Sequence, residues 1–419
     1  MPPAKTSAAD MPGLPARMAA LRMLDAVLHR GETLEQAEGG ALRGVPGNAD
    51  RALARAIASE ALRWLVDLDA LIDSATQRLL PADAKARSVL RLMLAQLLRL
   101  GSPPHAIVAT ALPLLSGGPR RLAHGVFSTL AKREPALPPA PTLPADVAAR
   151  WGEPAPAIAH GLAEPPPLDL ALKDRSATQH WANDLGGDSL APGHVRLPRG
   201  LPVEQLPGFA EGEWWVQDLA ASLPARLLGA GEGRRVLDLC AAPGGKTMQL
   251  AASGWQVTAL DKHGKRMERL RANLARTGLE AETVKADALG YAPGKAFDAI
   301  LLDAPCTATG TCRRHPDVLH RIGAGDIARM TEIQAALLAE AAEWLSPGGT
   351  LVYAVCSLER EEGEAQAQRV ALEPDPIRAA DLPAGLLPTP EGWLRTDPGM
   401  LADAGGLDGF FVARWKKGS

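Results

Sequence analysis

Two cysteines in this chain stand where covalent chemistry would need them. Cys306 closes Asp303-Ala304-Pro305-Cys306, after the apolar run 299–302, and Cys356 opens Cys356-Ser357, after the run 350–355. A lone cysteine is usually a buried, inert hydrophobe. Against that, Cys306 lies in a polar turn continued by Thr307 and Thr309-Gly310-Thr311, and Cys356 precedes a polar helical stretch. Helix-terminal N–H groups favour a thiolate, and a thiolate is a strong nucleophile. A pair of such residues at the ends of neighbouring strands would face one pocket.

The third chemical stretch is VLDLCAAPGGKT, residues 236–247. An apolar run breaks into a glycine-containing loop and then a helix. That unit sets backbone N–H groups around a ligand at the carboxyl end of a parallel strand. Acidic residues end the following runs: Asp261, Asp287 and Asp303. Asp261 is placed to accept from a ribose diol, although any one of these could instead cap a helix. The loop is not Gly-x-Gly-x-x-Gly. Its tail GGKT, with ILLD at 300–303, resembles parts of a P-loop NTPase, but position 240 holds Cys where a P-loop requires Gly.

These residues need a scaffold. Residues 233–417 alternate expected strands at 236–239, 256–260, 282–285, 299–302, 350–355 and 409–415 with helical stretches at 246–252, 264–277, 326–345 and 361–369. That alternation predicts a doubly wound parallel sheet. Residues 14–133 carry only helical spacing, at 17–28, 49–64, 67–80, 84–100, 106–115 and 120–133, which predicts a helical bundle. Between them, 135–167 is proline-rich and reads as a linker with helical pieces at 146–151 and 155–164. Residues 168–230 read as a small α/β insert with a strand at 168–172 and helices at 176–185 and 219–228.

Size and composition set outer bounds. At 419 residues the chain suits two or three domains, and 46% hydrophobic with 22% charged residues suits globular ones. No apolar run reaches membrane-spanning length. The first 13 residues, MPPAKTSAADMPG, lack an apolar core and read as a leader rather than a signal peptide. Four cysteines make no disulfide framework, and no CxxC or His-x-x-x-His pair suggests a metal. A reducing, cytoplasmic setting is expected. Net charge is −3, split as +5 over 1–135 and −8 over the rest. The basic first part suits nucleic acid or simply solvated helix faces. Arg313 and Arg314, adjacent in a polar loop, suit phosphate contacts or plain solvation.

The strings LDLCAAPGGKT, DAPCTATGTCRRHPD and AVCSLEREEGE, in that order, resemble the signatures of the RsmB/NOP/Sun family of RNA cytosine-C5 methyltransferases. LRLMLAQLL at 90–98, followed by Pro104-His105-Ala106, is similar to the core of NusB-like RNA-binding domains. The resemblance implies a multidomain chain. An all-α NusB-like bundle (14–135) would be followed by the linker and insert (136–230), and then by a class I, Rossmann-like α/β methyltransferase domain (231–417). It implies S-adenosylmethionine as cofactor and RNA, most of all 16S rRNA, as partner, with no membrane and no metal. It implies Cys356 as nucleophile, Cys306 as the residue assisting release, and Asp303 on the cytosine edge. Cofactor contacts would fall to Cys240, Ala241, Ala242, Pro243, Gly244, Gly245, Lys246, Asp261, Arg266, Asp287 and Asp303. Thr307-Ala308 stands where Ser-Gly is commoner in the family, and Ala354-Val355 where Ala-Thr is usual.

Overall fold

The computed structural model describes residues 11–418, which form two compact units. The expected leader lies mostly outside the described residues. One unit comprises the chain up to Ala163 together with Arg314–Arg321; the other comprises Glu164–Arg313 and the chain from Ile322 onward.

The first unit is helical throughout. Leu14–Arg30, Asn48–Arg63, Lys85–Leu98 and Gly117–Arg133 are its long helices. Lys85–Leu98 is the central one. Val89, Leu90, Leu92, Met93, Leu94 and Ala95 are all fully buried, so apolar residues occupy every side of it. The expected helix at 67–80 is shorter, Leu65–Ser74. A helix missed by spacing, Leu34–Ala41, is started by a capping box in which Thr33 accepts from the Gln36 amide and Gln36 accepts in return.

Much of this unit's positive charge is internal. Arg17, Arg63, Arg87 and Arg91 are buried. Arg63 and Arg99 share Glu60 at 3.1 and 2.9 Å; Arg91 pairs with Asp69 at 2.8 Å, and Arg87 with Asp73 at 2.8 Å. These five arginines are fold residues, not a nucleic-acid surface.

The second unit holds two sheets. Strands β1 (Leu168–Leu172), β2 (His194–Leu197) and β3 (Trp214–Val216) form a small antiparallel sheet with β1 in the middle. The large sheet contains β4 (Arg235–Leu239), β5 (Gln256–Asp261), β6 (Glu282–Lys285), β7 (Phe297–Asp303), β8 (Leu345–Val355), β9 (Glu373–Pro374), β10 (Leu394–Thr396) and β11 (Phe410–Lys416). Its order is β10-β11-β8-β7-β4-β5-β6, with β9 on β11. Central β4 and β7 are apolar on both faces, as strands covered by helices on both sides must be. β6 exposes Glu282 and Lys285 and closes one edge.

The sheet is mixed rather than wholly parallel. β11 runs antiparallel to β8, and β10 antiparallel to β11. Parallel neighbours need a crossover that carries the chain back to the same end. The connection from 356 to 409 holds the four-residue helix Glu364–Ala367, the short strands β9 and β10 and turns, with no long crossover helix, and the last strand returns in the opposite sense.

Candidate active site

The carboxyl ends of β4, β5, β7 and β8 meet at one cavity of about 470 Å³. Cys240, Asp261, Arg266, Asp287, Asp303, Cys306 and Cys356 all line it. Parallel order β5-β4-β7-β8 puts these strand ends side by side, which is why residues over a hundred positions apart converge. A wider depression of about 770 Å³ lies at the amino-terminal ends of β4–β6, against Arg235 and Gln256; no cysteine lines it.

The sulfurs of Cys306 and Cys356 are 3.4 Å apart. Cys306 is held as the thiol. Its hydrogen bond to Cys356 comes first, then burial, then the charges of Cys356 and Glu362, and together they push its pKa well up. Either sulfur can donate in this contact. The Cys306 loop is pinned to the Cys356 loop through backbone: Gly310 N donates to Cys356 O at 3.0 Å, and Gly409 N to Gly310 O at 2.8 Å. A Cβ on Gly310 would sit 1.9 Å from Gly409 O, so this crossing needs glycine.

The first loop behaves differently from the pair. Cys240 takes a left-handed φ of 62°. Burial, then Asp303, Asp261 and Asp238, push its thiol up to about 12. It is therefore a protonated wall residue and not a nucleophile. Ala241 and Ala242 are buried, with Ala242 N donating to Asp261 Oδ2 at 3.2 Å and His263 N to Oδ1 at 2.8 Å. Arg266 clamps the same loop by donating to Ala242 O. Gly244 backs onto Leu270. Ala241, Ala242, Pro243, Gly244 and Gly245 thus shape the cavity from behind rather than line it.

Lys246 is buried and its Nζ lies 2.7 Å from Asp303 Oδ2. Burial would lower its pKa, but the Asp303 charge and hydrogen bond override that and raise it. Asp287 is the exposed member, capping the turn at 288–290 through Leu289 N at 3.2 Å and lying 3.8 Å from Lys262. Arg313 corrects the phosphate reading. It is 1% exposed and lies 3.2 Å from both Asp218 and Asp408, with a further bond to Gly405 O, so it ties loops together inside the fold.

Residues 225–416 match the family described as 16S rRNA methyltransferase RsmB/F, and residues 14–116 match the NusB family. Ribosomal RNA small subunit methyltransferase B of Xanthomonas campestris pv. campestris is 36% identical over 391 residues, covering 87% of this chain and 89% of that relative. The chain belongs to the RsmB/F family of 16S rRNA methyltransferases. The protein of the same name from Xylella fastidiosa strain 9a5c is also 36% identical, over 95% of this chain and 99% of that one. The solved structure of PH0851 shares the fold, with a TM-score of 0.73 at 23% identity, over 97% of this chain and 99% of that one.

Two residues of this RsmB/F member escaped sequence reasoning. Glu362 is fully buried behind the cysteine pair, yet nothing in LEREEGE sets it apart from Glu359, Glu361 and Glu364. Asp238, in β4, accepts from Thr247 Oγ1 at 2.6 Å, while its other oxygen is buried with no hydrogen-bond partner. Burial outweighs the Thr247 bond and raises its pKa to about 7. Between the ordinary aspartate value near 4 and about 7, the folded state holds the proton more tightly than the unfolded state. Stability contributed by this group therefore falls as pH rises through that window. Asp238→Asn, which cannot ionise, should flatten this part of the Tm-against-pH curve between pH 5 and 8; parallel curves for the two proteins would refute it.

Proposed function

We propose that this protein methylates C5 of a cytosine in RNA, with 16S rRNA as substrate, through a covalent bond between Cys356 and C6. The observation that carries this reading is the pair of sulfurs 3.4 Å apart at the ends of β7 and β8, one held as a thiol, beside a cavity of nucleoside chemistry. Asp261 and Asp287 offer acceptors for hydroxyl and amino groups, and Leu260, Ala288, Leu289 and Pro305 offer apolar walls for a base. These groups fit S-adenosylmethionine, with Asp261 on the ribose and Asp287 toward the adenine amino group. When bound, S-adenosylmethionine supplies an electrophilic methyl group.

C5 of cytosine is a poor nucleophile. Addition of the Cys356 thiolate to C6 breaks the ring's aromaticity and makes C5 enamine-like, which divides one hard step into easier ones. Asp303 meets Lys246 through Oδ2, leaving Oδ1 for the N3/N4 edge of the base, where hydrogen bonding draws the addition forward. After methylation solvent takes the C5 proton, the electron pair of that C–H bond restores the C5–C6 double bond, and the C6–S bond breaks with its pair returning to Cys356 as thiolate. Cys306, touching Cys356, assists that release. The base must be unpaired or flipped out to enter. The helical domain, residues 14–135, docks RNA in this reading through exposed basic residues rather than its buried arginines.

The rival is an RNA-binding factor whose methyltransferase domain is inert; the close thiol pair favours the enzyme. Incubation with methyl-labelled S-adenosylmethionine and unmethylated 16S rRNA should yield 5-methylcytosine. No transfer to cytosine, with no cofactor binding, rejects the proposal.

A further inference from the structure

Behind the two sulfurs lies a carboxylate with no cation on it among its hydrogen-bond donors. Glu362 is 0% exposed. Its Oε1 accepts from Thr307 N at 2.9 Å and from Gln334 Nε2 at 3.0 Å. Its Oε2 accepts from Thr307 Oγ1 and from Ser357 Oγ, both at 2.5 Å. Thr307 directly follows Cys306, and Ser357 directly follows Cys356. One side chain therefore binds the residue next to each sulfur, and the helix Ala324–Glu343 anchors it through Gln334. The Ser357 hydroxyl is itself fixed, accepting from Glu359 N at 3.1 Å and lying 3.2 Å from Thr309 Oγ1.

We propose that Glu362 is the positioning residue that holds the two cysteine loops in register and, by its charge, keeps Cys306 as the thiol partner of Cys356. The division of labour between two chemically identical side chains then follows from their surroundings. Both lie just past strand ends, but only the Cys306 loop gives Glu362 a backbone N–H and a hydroxyl from one residue. Four donors from three residues satisfy the buried carboxylate, as a buried polar group requires. Its charge faces Cys306 and opposes ionisation there. The other titratable and charged groups around this sulfur are Cys356 and the Tyr353 phenol, with Asp303 and Lys246 along the cavity and Arg395 beyond Tyr353.

This rests on the covalent reading above, so the deciding measurement is one that needs neither RNA nor cofactor. Alkylation of the free protein by iodoacetamide across pH, with mass spectrometry resolving Cys306 from Cys356, reports the ionisation of each. Glu362→Gln keeps the shape and removes the charge. The Cys306 midpoint should fall by about one pH unit or more, and kcat should drop on the order of 10²-fold with KM for RNA unchanged. An unchanged Cys306 midpoint overturns the electrostatic role, whatever the RNA assays give. Thr307→Val removes one donor to the carboxylate and keeps its charge. It should lower kcat while leaving the Cys306 midpoint in place. Wild-type kcat in both Thr307→Val and Ser357→Ala overturns the clamp, even if Glu362→Gln fails to fold.

Discussion

Cys356→Ala should abolish methyl transfer without leaving any protein–RNA adduct, whereas Cys306→Ala should trap one. Loss of a covalent nucleophile removes the route itself, so turnover should fall on the order of 10³-fold or more. Cys306 lies 3.4 Å from the attacking sulfur and is held protonated by that contact, by burial and by neighbouring charge. Its removal leaves Cys356 able to add to C6 but takes away the group that helps the bond break again. Labelled 16S rRNA run on a denaturing gel after incubation with cofactor reads both outcomes at once. A slow-migrating covalent species with Cys356→Ala, and none with Cys306→Ala, would exchange the two roles.

The largest effect on stability should come from the small sheet. Asp169 in β1 is fully buried; it meets Arg196 at 2.7 Å through both oxygens, accepts from Leu219 N at 3.0 Å and lies 3.3 Å from His194 Nε2. Burial alone would raise its pKa, but the hydrogen bonds from Arg196 and the adjacent His194 imidazole overcome that and hold the carboxyl well below the usual range. Asp169→Ala would strand a buried guanidinium and a backbone N–H. Breaking such a pair by removing one partner costs about 3–5 kcal/mol, a Tm loss on the order of 10 °C for a unit of this size. The sign with pH is fixed as well: because the folded pKa is depressed, the contribution is present above about pH 4 and is lost as pH falls below it. The gap between wild type and variant should therefore narrow in acid. Calorimetry giving equal Tm values at pH 7 would refute the role.

Sequence pattern reached the parts of this fold governed by local periodicity. The apolar runs that became β4, β5, β7 and β8 are buried on both faces, so they stand out without knowledge of their neighbours. β2 did not, because its sequence HVRL puts His194 and Arg196 into the interior, and only their pairing with Asp169 makes that tolerable. The direction of β11 depended on a connection whose path is tertiary. At the site, Asp261, Asp303, Cys306 and Cys356 were legible as chemistry at strand ends. Glu362 was not, since its meaning lies in four donors brought from three residues, 307, 334 and 357. Arg313 misled for the same reason: beside Arg314 it reads as a phosphate contact, and two distant aspartates decide otherwise.

The helical unit is not contiguous in sequence. Arg314–Arg321 belongs to it, and within it His320 Nε2 lies 2.7 Å from Leu62 O while Arg321 pairs with Asp317 at 2.9 Å. This excursion begins two residues after Cys312, directly beyond the loop that carries Cys306. A gene cut at 163/164 would therefore yield an amino-terminal product missing eight of its own residues and a carboxyl-terminal product bearing eight that belong elsewhere. Fission at that point would leave neither product with the whole of its own module and nothing else.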